Sequence, residues 1–343
     1  MKVAKLYRFG DIRIEKIPLP EPSSREALVK VKACGICSGD VMPWYIEKKA
    51  PLVLGHEISG EIVKIGDEVK EKTNLKEGDR VVVHHHAPCM SCFFCKRGDY
   101  VQCETWRNSK IIPGGLSEYI ILPYENLIND TLKIPDNISF EEAALVEPTA
   151  CVVKSLRRVN IRKGDTLVVI GLGVMGQIHL MLAREFGGEK LIGVDIVPFR
   201  LEKALQAGAD FVIDASKEDV VEKLSALTNG MMAQAVIVGP GKTELIAQSL
   251  RLVSRGGTLL IFTPTPPDER LLLSVNDLYF KDITITTSYS CGPEDMKTAL
   301  NFIERKIVRS ELLITHRFNL DDTKKAYEIT ALAKDSLKCI INF

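Results

Sequence analysis

Four cysteines crowd into fifteen residues of this 343-residue chain: Cys89, Cys92, Cys95 and Cys103, spaced C-x2-C-x2-C-x7-C. Four thiolates at such spacing can enclose one tetrahedral Zn²⁺ and leave no position open, which is the character of a structural site. The first spacings also begin a ferredoxin-type iron–sulfur pattern, but the fourth spacing and the missing Cys-Pro pair speak against it. A second constellation is Gly171-Leu-Gly-Val-Met-Gly176. A lone G-x-G-x-x-G is weak. Here it follows the β-branched apolar run Thr166 to Ile170, opens a helical pattern, and has Asp195 19 positions after its last glycine, the context of a dinucleotide-binding turn. Gly171 would permit the tight turn, Gly173 the close approach of a pyrophosphate, and Gly176 the packing of helix on strand. Val174 and Met175 then start a helix whose free N–H groups face the phosphates. Asp195 would accept from the adenosine ribose 2′-OH and repel a 2′-phosphate, so NAD is expected rather than NADP.

These residues need elements to hold them. Before about residue 150, short β-like runs alternate with Gly/Pro turns (Ala27 to Lys32, Glu61 to Ile65, Arg80 to Val83, Ser117 to Leu122), which predicts a β-rich domain of barrel type. After Lys163-Gly164-Asp165 the pattern becomes strand–helix–strand. Strands are expected at Thr166 to Ile170, Leu191 to Val194, Phe211 to Ile213, Ala235 to Val238 and Thr258 to Phe262, with helices between several of them. Such alternation predicts an α/β fold with a doubly wound parallel sheet. The tail reads as a strand at Ile283 to Tyr289, helices at Pro293 to Arg305 and Leu320 to Ala333, and a final strand from Leu337 to Phe343.

Composition narrows the function classes. Lysine plus arginine and aspartate plus glutamate both number 45, so no basic surplus points to nucleic acid. No apolar run approaches the ~20 residues of a membrane span, and Met1 to Gly10 has no secretory apolar core. Nine cysteines, four of them clustered, fit metal binding in a reducing cytoplasm better than disulfides.

The chain resembles the zinc-containing medium-chain alcohol dehydrogenase family, in its polyol, sorbitol and threonine dehydrogenase-like branch. Gly55-His56-Glu57-Ile-Ser-Gly60, followed by Gly66 and Val69, matches the family's zinc signature. Cys34-Gly-Ile-Cys37 with Asp40 matches its first zinc-ligand segment, and the cysteine lobe and glycine loop follow in family order. The resemblance implies a GroES-like catalytic domain over residues 1–150, rejoined by 289–343, and a Rossmann NAD-binding domain over 151–288, with substrate between the two. It implies two zinc ions: a structural one on the four clustered cysteines, and a catalytic one on Cys37, His56 and carboxylates from Glu57 and Glu147, the last in the Glu147-Pro148 pair that in the family's polyol and threonine dehydrogenases supplies the glutamate directly or through water. Asp40 would orient the His56 ring. Where the family carries Ser or Thr two residues after the first ligand cysteine, this chain has Gly39, so the proton is left to Ser38 on a shifted loop, to Glu147 or to a water chain. Arg200 matches a basic position near the adenosine ribose, and Lys338 one that contacts the pyrophosphate. His84-His85-His86 reads as surface or cleft lining, because alternate strand positions face opposite ways. The implied activity is hydride transfer from a secondary alcohol to NAD in a homodimer or homotetramer. The alternatives are a threonine 3-dehydrogenase-like or broad-specificity alcohol dehydrogenase and, in another class, a non-catalytic NAD-binding sensor or structural protein.

Overall fold

The computed structural model describes residues 1–343 as two compact units. The first comprises Met1–Ala150, Ser290–Lys306 and Ile314–Phe343; the second comprises Cys151–Tyr289 and Ile307–Leu313. In chain order the strands are β1 (Lys2–Arg8), β2 (Asp11–Lys16), β3 (Ala27–Gly35), β4 (Leu52–Val53), β5 (Glu57–Ile65), β6 (Arg80–His84), β7 (Tyr119–Leu122) and β8 (Thr131–Lys133). There follow β9 (Asp165–Ile170), β10 (Gly188–Asp195), β11 (Phe211–Asp214), β12 (Ala233–Val238), β13 (Val253–Ile261), β14 (Thr284–Thr287), β15 (Ile314–Asn319) and β16 (Lys338–Asn342).

The first unit holds a sheet of order β15-β16-β3-β5-β6-β8, with β7 beside β3, and a small sheet β2-β1-β4. Its core is a continuous apolar cluster that includes Val29, Val31, Ile58, Ile62, Val81, Val83, Leu116 and Ile120. The register matters more than the strand count. Gly35 pairs with Glu57, Glu57 pairs with His84, and Val83 pairs with Thr131. One end of the sheet therefore lays the residues around 35, 57, 84 and 130 side by side, although they are far apart in sequence. β5 begins at Glu57, four residues before the apolar run the sequence suggested, because Glu57 and Ser59 are buried strand residues rather than loop.

The second unit is a six-stranded sheet of order β11-β10-β9-β12-β13-β14, all parallel. Numbered within the unit this is 3-2-1-4-5-6, which reverses direction between β9 and β12. Val168, Ile170, Ile192, Val194, Val236, Val238 and Leu259 fill its core. Near-continuous apolar strands are what a sheet covered on both faces requires. β14 is an edge strand.

The helix Val146–Val159 had no counterpart in the sequence reading. Pro148 looks like a breaker, yet it falls in the first turn, where the missing N–H would have no partner anyway. Glu147 stands in that helix's first turn. No helix is long and apolar enough to cross a membrane.

Candidate active site and metal centres

In the cysteine lobe the four sulfurs lie within 4.8 Å of one another. Cys89 and Cys95 are 3.9 Å apart and Cys92 and Cys95 3.5 Å, bracketing the ~3.8 Å edge of a tetrahedron of zinc thiolates. No disulfide joins any of the nine cysteines. Four neighbouring sulfurs cannot all be charged without a cation: a hydrogen bond from Ser91 draws Cys89 down to about 5, while burial among its neighbours pushes Cys95 up to about 12. The lobe's own core is Cys95, Tyr100, Val101, Cys103 and Trp106. So small a cluster needs a staple, and a metal is the available one. Gly292 lets the Tyr100 ring lie against the backbone, since a Cβ there would meet Tyr100 Cδ2 at 2.3 Å.

The second constellation assembles through the sheet register. Cys37 follows β3 and caps the turn Ser38–Val41, its sulfur accepting from the Gly39 N–H at 3.3 Å. His56 immediately precedes β5. Its Nδ1 stands 3.5 Å from Asp40 Oδ2, and the Tyr327 hydroxyl donates to the same oxygen at 3.4 Å. Cys37, His56 and Glu57 bring one ligand atom each within 4.8 Å of one another. A thiol, an imidazole and a carboxylate are a donor set suited to Zn²⁺, and three protein ligands leave room for a fourth.

Lys338 corrects the sequence reading. It is 1% exposed, and its ammonium donates to Glu57 Oε1 and Oε2 at 2.7 and 2.6 Å and to the Ile36 carbonyl at 3.0 Å. All three N–H groups are engaged, so none is left for a pyrophosphate. Burial works against the lysine's charge, but Glu57 and Cys37 outweigh it and hold its pKa above the ordinary range. Burial raises the Glu57 carboxyl against the pull of Lys338. Gly35 makes the pair possible: a Cβ there would lie 2.0 Å from Glu57 Oε2.

Three further placements differ from expectation. Ser38 is exposed on its turn, outside the cluster. Glu147 is 6% exposed, and its oxygens cluster with His84 and His85 rather than in the Cys37–His56–Glu57 set. His84 is fully buried, not at the surface, and its Nδ1 lies 2.6 Å from Asp130 Oδ2. Sequence reasoning missed that pair, because only the β6–β8 register brings Asp130 to His84.

In the second unit the glycine loop takes the form its spacing implied. Gly171 has φ +87°, and a Cβ there would strike Pro240 at 2.7 Å. A Cβ on Gly176 would sit 2.1 Å from the Gly171 carbonyl oxygen, whereas one on Gly173 would meet nothing within 4 Å. The open side is thus at Gly173, the N-cap of the helix Val174–Ala183, where a phosphate has room and unpaired N–H groups. Asp195, at the end of β10, accepts from the N–H groups of Leu172 (2.6 Å), Ile196 (2.7 Å) and Val197 (3.0 Å). Arg200 Nη1 lies 3.7 Å from it.

The comparisons agree with this anatomy. Residues 23–136 match the alcohol dehydrogenase GroES-like domain, and residues 161–305 the zinc-binding dehydrogenase domain. A sorbitol dehydrogenase of Bombyx mori is 33% identical, covering 99% of this chain and 97% of its own. An erythritol/L-threitol dehydrogenase of Mycolicibacterium smegmatis is 29% identical over 96% and 93%. The crystal structure of 2R,3R-butanediol dehydrogenase from Bacillus subtilis superposes with a TM-score of 0.87 at 26% identity, covering 100% of this chain and 99% of that one. With its two matched domains, its thiol–imidazole–carboxylate cluster and its glycine loop, the chain belongs to the zinc-binding, medium-chain alcohol dehydrogenases, in their sorbitol dehydrogenase-like branch.

Proposed function

We propose that this enzyme oxidises a secondary alcohol of a polyol, sugar or sugar phosphate, with NAD as hydride acceptor. The observation that carries the reading is the convergence of Cys37, His56 and Glu57 at one end of the β3–β5–β6 sheet, backed by Asp40. Lewis-acid activation of the alcohol and acceptance of the hydride are the chemistry that zinc and NAD supply when bound. Cys37 and His56 are the firm metal donors. Asp40 fixes the His56 ring through Nδ1 and leaves Nε2 to ligate. Glu57 supports the site while Lys338 holds its carboxylate in place. With glycine at position 39 and Ser38 outside the cluster, the carboxylate of Glu147 is the group assigned to accept the alcohol proton. The closed set of Cys89, Cys92, Cys95 and Cys103 holds the structural ion.

Gly171, Gly173, Val174, Met175 and Gly176 cradle the pyrophosphate, with Asp195 and Arg200 beside the adenosine ribose. The Asp195 carboxylate selects NAD by repelling a 2′-phosphate. Assembly as a homodimer or larger homo-oligomer is favoured by the open edge at β14 and by Val275, Tyr279 and Phe280, which are 74–77% exposed nearby. Light scattering on the purified chain reads the copy number. Free thiols throughout favour a reducing, cytoplasmic setting.

The deciding experiment is an NAD-reduction screen across polyols, sugar phosphates, amino-acid alcohols such as threonine, and simple secondary alcohols. Polyols or their phosphates should give the highest kcat/KM. Threonine ahead of them would overturn the substrate assignment, and no turnover with any class would favour a binding protein.

A further inference from the structure

One buried imidazole of the second unit bears on the glycine loop from behind. His179, in the second turn of the helix Val174–Ala183, is 1% exposed. Its Nδ1 lies 2.8 Å from the Met175 carbonyl oxygen, and its Nε2 lies 2.6 Å from Ser155 Oγ. Ser155 is fully buried on the helix Val146–Val159. A carbonyl only accepts, so Nδ1 carries the ring's proton. Burial pushes the imidazole pKa down to about 4. At neutral pH Nε2 is therefore unprotonated, and the Ser155 hydroxyl donates to it. The Phe262 ring, next in sequence after β13, stands edge-on to the imidazole at 4.9 Å. Three elements thus fix this side chain, and all the residues that do so belong to the second unit.

The Met175 carbonyl shares one rigid peptide plane with the Gly176 N–H. Gln177 is the first residue of the helix whose N–H finds a backbone acceptor, the Gly173 carbonyl at 3.0 Å. The Gly176 N–H is therefore among those left for a phosphate. A donor on the carbonyl side of that peptide sets its plane and polarises its N–H. We propose that Ser155 and His179 are positioning residues for the cofactor: the relay from the Ser155 hydroxyl through the imidazole to the Met175 carbonyl aims and polarises the Gly176 N–H that receives the pyrophosphate. The proposal rests on the assignment of the glycine loop to the pyrophosphate and is independent of which alcohol is oxidised.

The test is a titration of the full-length protein with NADH, read by nicotinamide fluorescence, and displacement of NADH by ADP-ribose and by adenosine. Wild type is compared with His179→Phe, which fills the space and loses both bonds, and with His179→Asn, which keeps an amide donor near the place of Nδ1. The Kd of NADH and of ADP-ribose should rise about 3–10-fold in His179→Phe, the scale of one hydrogen bond. Adenosine, which has no phosphate, should bind as before, and His179→Asn should recover most of the loss. Equal weakening of ADP-ribose and adenosine would reduce the pair to packing and overturn the proposal. An unchanged NADH Kd in His179→Phe would overturn it alone, whereas a wild type that binds no NADH would overturn the cofactor reading with it. Relayed binding of NADH in a protein that oxidises no polyol would support it and sink only the substrate assignment. If His179→Phe does not fold, Ser155→Ala replaces it and should weaken NADH and ADP-ribose about 2–5-fold; no change there would count against the relay just as decisively.

Discussion

The cysteine lobe and the Cys37–His56–Glu57 cluster are both fitted to hold an ion, but they are built in opposite ways. The lobe takes all four donors from residues 89–103, a segment with hardly any apolar core of its own. The other cluster takes its donors from the ends of two paired strands and rests on one of the largest apolar cores in the molecule. The first site makes its surroundings, whereas the second is made by them. A metal should therefore matter to folding in one and to chemistry in the other.

Substitutions can break that contrast, and the largest effect is expected at Cys37. Cys37→Ser should lower kcat/KM by about 10³-fold or more, because several kcal/mol of polarisation go with the ion, while the melting temperature barely moves. A large drop in stability would show that this site is also a staple. Lys338→Met comes next. It strands the Glu57 carboxylate in a site 1% exposed, so urea unfolding should report a loss of about 3–5 kcal/mol. A shift under 1 kcal/mol would mean that Glu57 finds another partner. Cys95→Ser should remove one ion from the lobe and cost about 3 kcal/mol, a fall of roughly 6–12 °C in Tm, with kcat largely kept below the transition. Loss of kcat at full stability would contradict the division of labour. The smallest effect belongs to Asp40→Asn, which should weaken metal retention at the Cys37 cluster by about 10–100-fold in a chelator titration and leave the lobe's ion in place.

The contrast also explains how much could be read from the chain. The cysteine lobe and the glycine loop were legible because their parts are local: spacing alone places Gly171, Gly173 and Gly176 on one turn. The parallel strands of the second unit were legible for the same reason, as apolar runs ended by glycine or aspartate. What was hidden depends on register. Nothing in the sequence ties Lys338 to Glu57, 281 residues away, or Asp130 to His84. Both pairs exist because antiparallel strands set Ile340, two residues from Lys338, beside Gly35 and then 35, 57, 84 and 130 in a row. The helix at Val146 was hidden by Pro148, whose position within the first turn decides whether it breaks or starts a helix.

The Tyr100 ring that lies on Gly292 links these two regions. Gly292 is bonded to Cys291, whose sulfur faces His84. The aromatic ring is thus a wedge between the lobe and a segment whose neighbouring residue, Cys291, faces the buried His84 imidazole. An ion held by the four cysteines would thereby help to fix where the Cys291 thiol points, and stripping it would slacken that stretch of chain before any ligand of the other cluster was touched.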